Sequence, residues 1–432
     1  MSNRHQFGFD TLAIHAGQRP DPETGARAMP IYATSSFVFE DAQQAADLFA
    51  LQTYGNLYSR IGNPTVAAFE ERVATLEGGL GAVATGSGLA AQLVTVLTLA
   101  QAGDRIVASQ SLYGGTHTQF DVTLRRMGID VDFVDFGDPA AVQAAIADGT
   151  KALYGEIVGN PRADVLDVSA IADIAHAHGI PLIVDNTFAS PYLCRPIEHG
   201  ADIVVHSATK FISGHGTVIA GVIVEAGTFP FDNGNFPLIT EPSPAYHGLT
   251  FWENFREYAF LTRARSEVLR DVGAGLSPFD AFLLLLGLET LPLRMRQHSA
   301  NAQAVARFLA ERDEVAWVSF PIFDDNPWTP LARQYLPEGP GAVFSFGLKG
   351  GYEACKTFIA SVELASHLAN IGDAKTLVIH PASTTHQQVP PEAREAAGVG
   401  NDLIRISVGI ETLDDILWDL DRALAATKEV TQ

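Results

Sequence analysis

The sequence predicts an α/β fold, a mostly parallel sheet flanked by helices, with a smaller C-terminal α+β domain. From residue 64 to 262 short β-branched runs alternate with helical stretches, the pattern of parallel strands joined through helical crossovers. After residue 340 strand-like runs (Val343 to Leu348, Leu403 to Val408) mix with helix-like ones (Tyr352 to Ala360, Thr412 to Ala426), which fits a separate α+β unit. At 432 residues the chain is also too long for one ordinary core.

Taken in order, residues 1–63 have few periodic segments and are interrupted at Gly17, Pro20, Pro22, Gly25 and Pro30. We read them as an N-terminal arm that lies on a neighbouring subunit or on the body of the protein. In the large domain, residues 64–262, strands are expected at Gly81 to Ala84, Asp104 to Ser109, Val131 to Val134, Ala152 to Glu156, Pro181 to Asp185, Ile203 to His206 and Val218 to Val224. Helices are expected at Leu89 to Leu99 and Thr116 to Met127, and Phe229 to Phe251, rich in Pro, Gly and aromatic residues, as a long loop. A helical region from Glu253 through Glu311 leads into the C-terminal domain, residues 263–432. In sheets of this kind ligands bind beyond the carboxyl ends of the strands, so strand-end residues are where chemistry is sought.

The composition narrows the function. A formal charge of −22 and a pI near 4.9 exclude a polyanion partner such as nucleic acid. Two cysteines, Cys194 and Cys355, give neither a disulfide framework nor metal-ligand spacing, so no metal is expected. The opening Met1-Ser2-Asn3-Arg4-His5-Gln6 lacks the apolar core of a signal peptide. The longest strongly apolar run, Phe282 to Leu288, is too short to cross a bilayer. The expectation is a cytoplasmic protein.

Lysines are scarce, and Lys210 alone sits at a strand end in a hydroxyl-rich turn, His206-Ser207-Ala208-Thr209-Lys210-Phe211-Ile212-Ser213-Gly214. A Schiff-base lysine must be an unprotonated nucleophile near neutral pH, which burial and nearby positive charge favour. Ser207 and Thr209 are spaced to reach a phosphate from one face of the turn. The plain alternative is a solvated lysine in a polar loop. Asp185 ends the apolar run Pro181-Leu182-Ile183-Val184, where a carboxylate can pair with a protonated pyridine nitrogen and make a cofactor a better electron sink. A lone aspartate there serves equally as a turn or capping residue. Gly86-Ser87-Gly88-Leu89-Ala90-Ala91 lies where a strand gives way to a helix, a ready anion site. Ala91 holds the last glycine position of the dinucleotide fingerprint, so this motif by itself also admits a nicotinamide-binding domain. Tyr113 follows another strand and can stack on a planar ring or simply pack.

Together with Tyr58-Ser59-Arg60-Ile61-Gly62-Asn63-Pro64-Thr65, Val184-Asp185-Asn186-Thr187, Ser207-Ala208-Thr209-Lys210 and His380-Pro381-Ala382-Ser383-Thr384-Thr385-His386, these residues give a specific likeness. From Phe9 to Thr427 the chain resembles the Cys/Met-metabolism branch of fold-type I pyridoxal 5′-phosphate (PLP) enzymes, and most closely the O-acetylhomoserine sulfhydrylases. The resemblance implies the PLP-dependent transferase fold type I, with Lys210 carrying the cofactor and moving protons. Asp185 would pair with the ring nitrogen and Tyr113 would stack on the ring. Gly88, Leu89, Ser207 and Thr209 would hold the phosphate, and Asn160 would contact the phenolic oxygen. Tyr58 and Arg60 would reach the phosphate in a neighbouring subunit, which implies at least a dimer and by family habit a homotetramer. Arg405 would clamp the substrate α-carboxylate, a task suited to a bidentate guanidinium.

Three features resemble the sulfhydrylase form: Leu368-Ala369-Asn370-Ile371-Gly372-Asp373-Ala374-Lys375, which places Asn370 at the substrate, the insertion Pro242 to Leu249, and Gly115 in place of the cysteine of methionine γ-lyases. The implied reaction is γ-replacement, O-acetyl-L-homoserine plus sulfide or methanethiol giving L-homocysteine or methionine plus acetate. Cystathionine γ-synthase, O-succinylhomoserine sulfhydrylase and methionine γ-lyase are the alternatives within the branch. A binding protein that keeps the fold needs no electron sink, and a nicotinamide enzyme needs no Schiff-base lysine.

Overall fold

The computed structural model describes residues 5–160, 163–384, 387 and 398–428. Met1 to Arg4, Pro161 of the Asn160 motif, and Thr385 and His386 of the His380 motif lie outside the described residues.

Residues 81–225 supply a seven-stranded sheet built from β1 (Gly81–Thr85), β2 (Arg105–Ser109), β3 (Asp130–Val134), β4 (Thr150–Glu156), β5 (Leu182–Asp185), β6 (Ile203–His206) and β7 (Gly221–Glu225). Their order is β1-β7-β6-β5-β4-β2-β3. The run from β6 to β3 is parallel, and β7 is antiparallel to both β6 and β1. Alternate residues enter two separate hydrophobic clusters: Val107, Leu153, Val184 and Val204 on one face, Ile106, Tyr154, Ile183 and Ile203 on the other. Burial of both faces is why these strands read as unbroken apolar runs rather than as alternating ones. The chain leaves β2 for β3 at the sheet edge and returns past β2 to β4, so the strand order reverses between β2 and β4. A crevice at the carboxyl ends is expected at such a reversal.

The helix Pro64–Glu77 starts cleanly: Pro64 needs no hydrogen-bond donor, the Asn63 side chain accepts from the Thr65 N–H, and Gly78 ends it at φ 76°. From this helix buried Arg72 donates to Ala16 O at 2.8 Å and Gln18 Oε1 at 3.0 Å, fastening the N-terminal segment. That segment, in which the sequence shows few periodic segments, holds two short helices, Phe9–His15 and Ala42–Phe49. Val38 (99% exposed) and Tyr54 (84%) stand free of the chain's own core.

The helical stretch expected from Glu253 to Glu311 is broken. Gly273 turns left-handed at φ 78°, Gly275 bridges to Thr85, and Pro278 and Pro292 each open a new helix, Pro278–Glu289 and Leu291–Ala310. The loop of 229–251 contains a helical turn, Pro237–Thr240, over a buried cluster of Phe229, Phe231 and Phe236. Residues expected as a helix from Thr116 form an α-turn, Gly114–Thr118, that widens into a π-helix, Gln119–Leu124.

A second sheet comprises β8 (Val315–Ser319), β9 (Val343–Leu348), β10 (Ser366–His367), β11 (Leu377–Ile379) and β12 (Leu403–Ser407), ordered β10-β11-β12-β9-β8. It is antiparallel except for the β10–β11 pair. Among the described residues no helix is long and apolar enough to cross a membrane, and no cluster of His, Cys, Asp and Glu could hold a metal ion.

Candidate active site

A cleft of about 290 Å³ lies beyond the carboxyl ends of β4, β5 and β6, with the second sheet supplying its far wall. It gathers Gly88, Leu89, Tyr113, Asn160, Asp185, Ser207, Thr209, Lys210, Asn370 and Arg405, which are more than 300 residues apart at the extremes.

Lys210 stands on the turn that follows β6. Its N–H donates to Ser207 O at 3.1 Å, and Gly214 N–H closes the turn onto Lys210 O at 2.7 Å. The turn is gripped from behind by Arg294, which donates to Phe211 O at 2.7 Å and Gly287 O at 2.6 Å. A Cβ at Gly214 would fall 2.1 Å from the Arg294 guanidinium, so the glycine makes the grip possible. Burial, and then the charge of Arg405, pull the Lys210 amine down to about 8. The amine donates to Asn370 Oδ1 at 2.5 Å, and Arg405 Nη2 donates to Asn370 O at 3.4 Å. Burial also draws Arg405 down to about 10. Asn370 thus joins the two cations of the cleft.

At the other end Asp185, 6% exposed, is held by three donors. Gln92 Nε2 (3.1 Å) and the Tyr154 hydroxyl (3.3 Å) reach Oδ2, and Thr187 N–H (3.0 Å) reaches Oδ1. Gln92 comes from the helix Gly88–Leu99, one turn in from its start. That start, capped by Ser87, brings the first-turn amides of Gly88 and Leu89 to the cleft beside Ser207 and Thr209. A Cβ on Gly88 would sit 2.7 Å from Ser207 Cβ, so the two backbones approach as close as a glycine permits. Tyr113 is 51% exposed at the mouth, and a Cβ on Gly115 would run into its ring at 2.4 Å. Tyr58 and Arg60 do not line the cleft of their own chain; they stack on each other, guanidinium over ring at 5.3 Å, and Tyr58 is exposed.

Sequence reasoning missed Gln92, Tyr154 and Arg294. Tyr154 reads as a plain strand residue, and Gln92 and Arg294 as helix residues. Helix spacing could have found Gln92, because it lies one turn from Gly88 on the same face.

The chain matches the profile of the Cys/Met metabolism PLP-dependent enzymes over residues 10–425, and it belongs to that family. It is 50% identical over 427 residues to an O-acetyl-L-homoserine sulfhydrylase of Leptospira meyeri, covering 97% of both chains. It is 52% identical over 419 residues to a homocysteine synthase of Schizosaccharomyces pombe, covering 96% of this chain and 98% of the other. Among solved structures it is similar to one described as an O-acetylhomoserine (thiol)-lyase of Campylobacter jejuni, with TM-score 0.94, 37% identity, and coverage of 97% and 100% of the two chains. That structure carries a pyridoxyl-lysine monophosphate, and its fold is the PLP fold type I that the sequence predicts.

The cofactor of the family is pyridoxal phosphate, and the cleft fits it on its own geometry. A lysine with a lowered proton affinity and a carboxylate with a fixed orientation face one space. Beside them, a helix start at a glycine forms a cradle that a Cβ would fill.

Proposed function

We propose that this chain catalyses γ-replacement on O-acetyl-L-homoserine, with sulfide or methanethiol as the incoming thiol, giving L-homocysteine or methionine and acetate for amino-acid biosynthesis. The observation that carries the reading is the joining of Lys210, Asn370 and Arg405 in one cleft with Asp185. A nucleophilic amine, a carboxylate clamp and a ring-nitrogen partner are what the first steps on an α-amino acid require.

Bound there, pyridoxal phosphate supplies the electron sink for the negative charge left when the α-proton departs. Asp185 holds the ring nitrogen in its protonated form, and Gln92, Tyr154 and Thr187 fix the carboxylate for that task. Gly88 and Leu89 amides with the Ser207 and Thr209 hydroxyls hold the phosphate, Tyr113 covers the ring and Asn160 meets its phenolic oxygen. Arg405 binds the substrate carboxylate. Lys210, once freed by the incoming amino group, would take the α-proton and pass it on to the bound cofactor, which leaves the amine unprotonated again to take one from the β-carbon as a general base. Its amine, already near 8, suits that exchange at neutral pH. Tyr58 and Arg60 complete the phosphate site of a neighbouring subunit, in a cytoplasmic homotetramer built from dimers that share active sites. The division into arm (1–63), large domain (64–262) and C-terminal domain (263–432) belongs to the same proposal.

One feature favours an uncharged thiol over cysteine, and acetyl over succinyl esters. Of this chain's described residues lining the cleft, Arg405 and Lys210 are the cations, the neighbouring subunit's Arg60 is assigned to the phosphate, and each therefore already has a task. A second carboxylate, on cysteine or on a succinyl group, would enter without a partner and bear the cost of desolvation.

The test is the visible spectrum of the purified protein, followed by O-acetylhomoserine and sulfide with assay of homocysteine and acetate. A yellow protein whose band changes with substrate and which releases homocysteine is the expected result. Release of ketobutyrate alone would move the assignment to a γ-lyase, and a colourless protein that takes up no pyridoxal phosphate would overturn the cofactor reading. Replacing Arg405 by Lys is expected to raise KM for the ester about tenfold or more while leaving the visible band intact, because a single ammonium cannot reproduce the bidentate pair.

A further inference from the structure

Glu156 closes β4 and takes no part in the mechanism above. It lines the cleft and also a second cavity of about 130 Å³, walled by Phe136, Leu166 and Trp328 among others. The residue is 8% exposed, and its Oε1 accepts the Tyr113 backbone N–H at 2.6 Å. Glu156 is the direct register partner of Asp185 on the neighbouring parallel strand. Residues so paired stand side by side on one face, on strands about 4.8 Å apart. Two carboxylates at that spacing in a buried site do not both ionise readily.

The hydrogen bonds decide which one keeps the charge. Asp185 has three donors, Gln92, Tyr154 and Thr187, whereas Glu156 has the Tyr113 N–H. Among the described residues, the other titratable groups around Glu156 are acids or phenols: Tyr154 on its own strand, Tyr113 after β2, and Asp164 and Asp167 after β4. The cations of the cleft, Lys210 and Arg405, are both engaged at Asn370. Burial first, and Asp185 second, push the Glu156 carboxyl well above the ordinary carboxylate range.

We propose that Glu156 is a positioning residue that works as a neutral carboxylic acid, fixing the backbone of Tyr113 and leaving Asp185 the one anion at the ring-nitrogen end. The inference rests on the cofactor reading above for its purpose, though not for the state of the carboxyl group. A neutral acid holds the Tyr113 loop in place without competing with Asp185 for the ring proton. It also predicts that an amide can replace it, whereas an ionised Glu156 would tolerate no such exchange.

The experiment is infrared spectroscopy with carboxyl-labelled glutamate, on holoenzyme and on cofactor-free protein, beside kinetics of Glu156→Gln, Glu156→Asp and Glu156→Ala. At neutral pH we expect a protonated-carboxyl stretch that shifts with the label, and the part of it owed to Glu156, as distinct from buried Glu225, is lost in Glu156→Gln and Glu156→Asp. Glu156→Gln should keep kcat/KM within about threefold and leave the pH dependence of the visible band unchanged, while Glu156→Ala, which strands the Tyr113 N–H, loses about tenfold or more. No such stretch at this site, or a Gln variant as impaired as the Ala variant, overturns the proposal. If Glu156→Gln does not fold, the labelled parent against Glu156→Asp gives the same decision. Because the stretch is also read without cofactor, a protein that takes up no pyridoxal phosphate sinks the functional reading separately.

Discussion

A Lys210→Ala protein is expected to lose about three orders of magnitude or more in kcat, since it removes both the covalent anchor and the general base. Loss of activity alone would not separate chemistry from misfolding, but the electrostatics of Lys210 do. Its folded pKa, about 8, lies below the ordinary lysine value of 10.5 because of burial and then Arg405. Between those two values the unfolded chain binds more protons than the folded one, so this residue's contribution to stability rises with pH across that window. Below about 8 its cost to folding is complete. Removing the amine removes the cost, and cofactor-free Lys210→Ala should therefore unfold at neutral pH at a temperature no lower than the parent's. The same shift sets the rate at which the parent captures its cofactor. At pH 7 about one lysine in ten is neutral, against about one in three thousand for an unshifted side chain. Capture, followed by the growth of the visible band, should rise with pH and level off just above 8. Turnover by Lys210→Ala at a rate comparable to the parent would remove the basis of the mechanism.

What the sequence disclosed follows from which interactions are local. β4, β5 and β6 are buried on both faces, so their apolar runs are continuous and their ends place Asp185 and the Lys210 turn correctly. β8 escaped notice because its middle is exposed, with Trp317 at 37%, and because it pairs with the sheet at one edge. β10 and β11 are two and three residues long, below the length at which periodicity carries a signal. The orientation of β7 was also hidden, since an apolar run does not say which way it runs. In the site, the residues of short motifs were legible and those that act across the fold were not. Arg294 meets the Lys210 turn 83 residues away, and Gln92 meets Asp185 at a separation of 93. Helix spacing puts Gln92 on the face of Gly88, but no local pattern names the partner of either residue; the packing of helices against strand ends creates such pairs. Asn370 is intermediate. The resemblance places it at the substrate, and in the structure it lines the cleft, its side chain accepting from Lys210 and its carbonyl from Arg405, a joining that no short motif discloses.

Replacing Asp185 by Asn is the second large effect we expect, and it isolates charge from shape. The amide keeps the volume and can still accept from Thr187 N–H at one end. Its NH₂ would face the Gln92 Nε2 donor, but Gln92 Oε1 is buried without a hydrogen-bond partner, so a rotation of the Gln92 amide turns an acceptor toward the new donor. The fold should therefore tolerate the change, and thermal unfolding of the cofactor-free variant should stay close to that of the parent. The cost falls on chemistry. A neutral amide cannot hold the proton on the ring nitrogen, so the electron sink weakens when the α-proton leaves. Breaking one half of a buried charge pair costs about 3–5 kcal/mol, which corresponds to a loss in kcat of about two to four orders of magnitude. The visible band should persist, since Lys210 is untouched, while its pH dependence shifts. Activity within about tenfold of the parent would show that the ring nitrogen does not depend on Asp185. Loss of the band would show that Asp185 serves binding rather than catalysis. The Asp185→Asn result also bears on Glu156: with Asp185 neutral, its neighbour no longer faces a second carboxylate, and the protonated-carboxyl stretch at Glu156 should weaken at lower pH than in the parent.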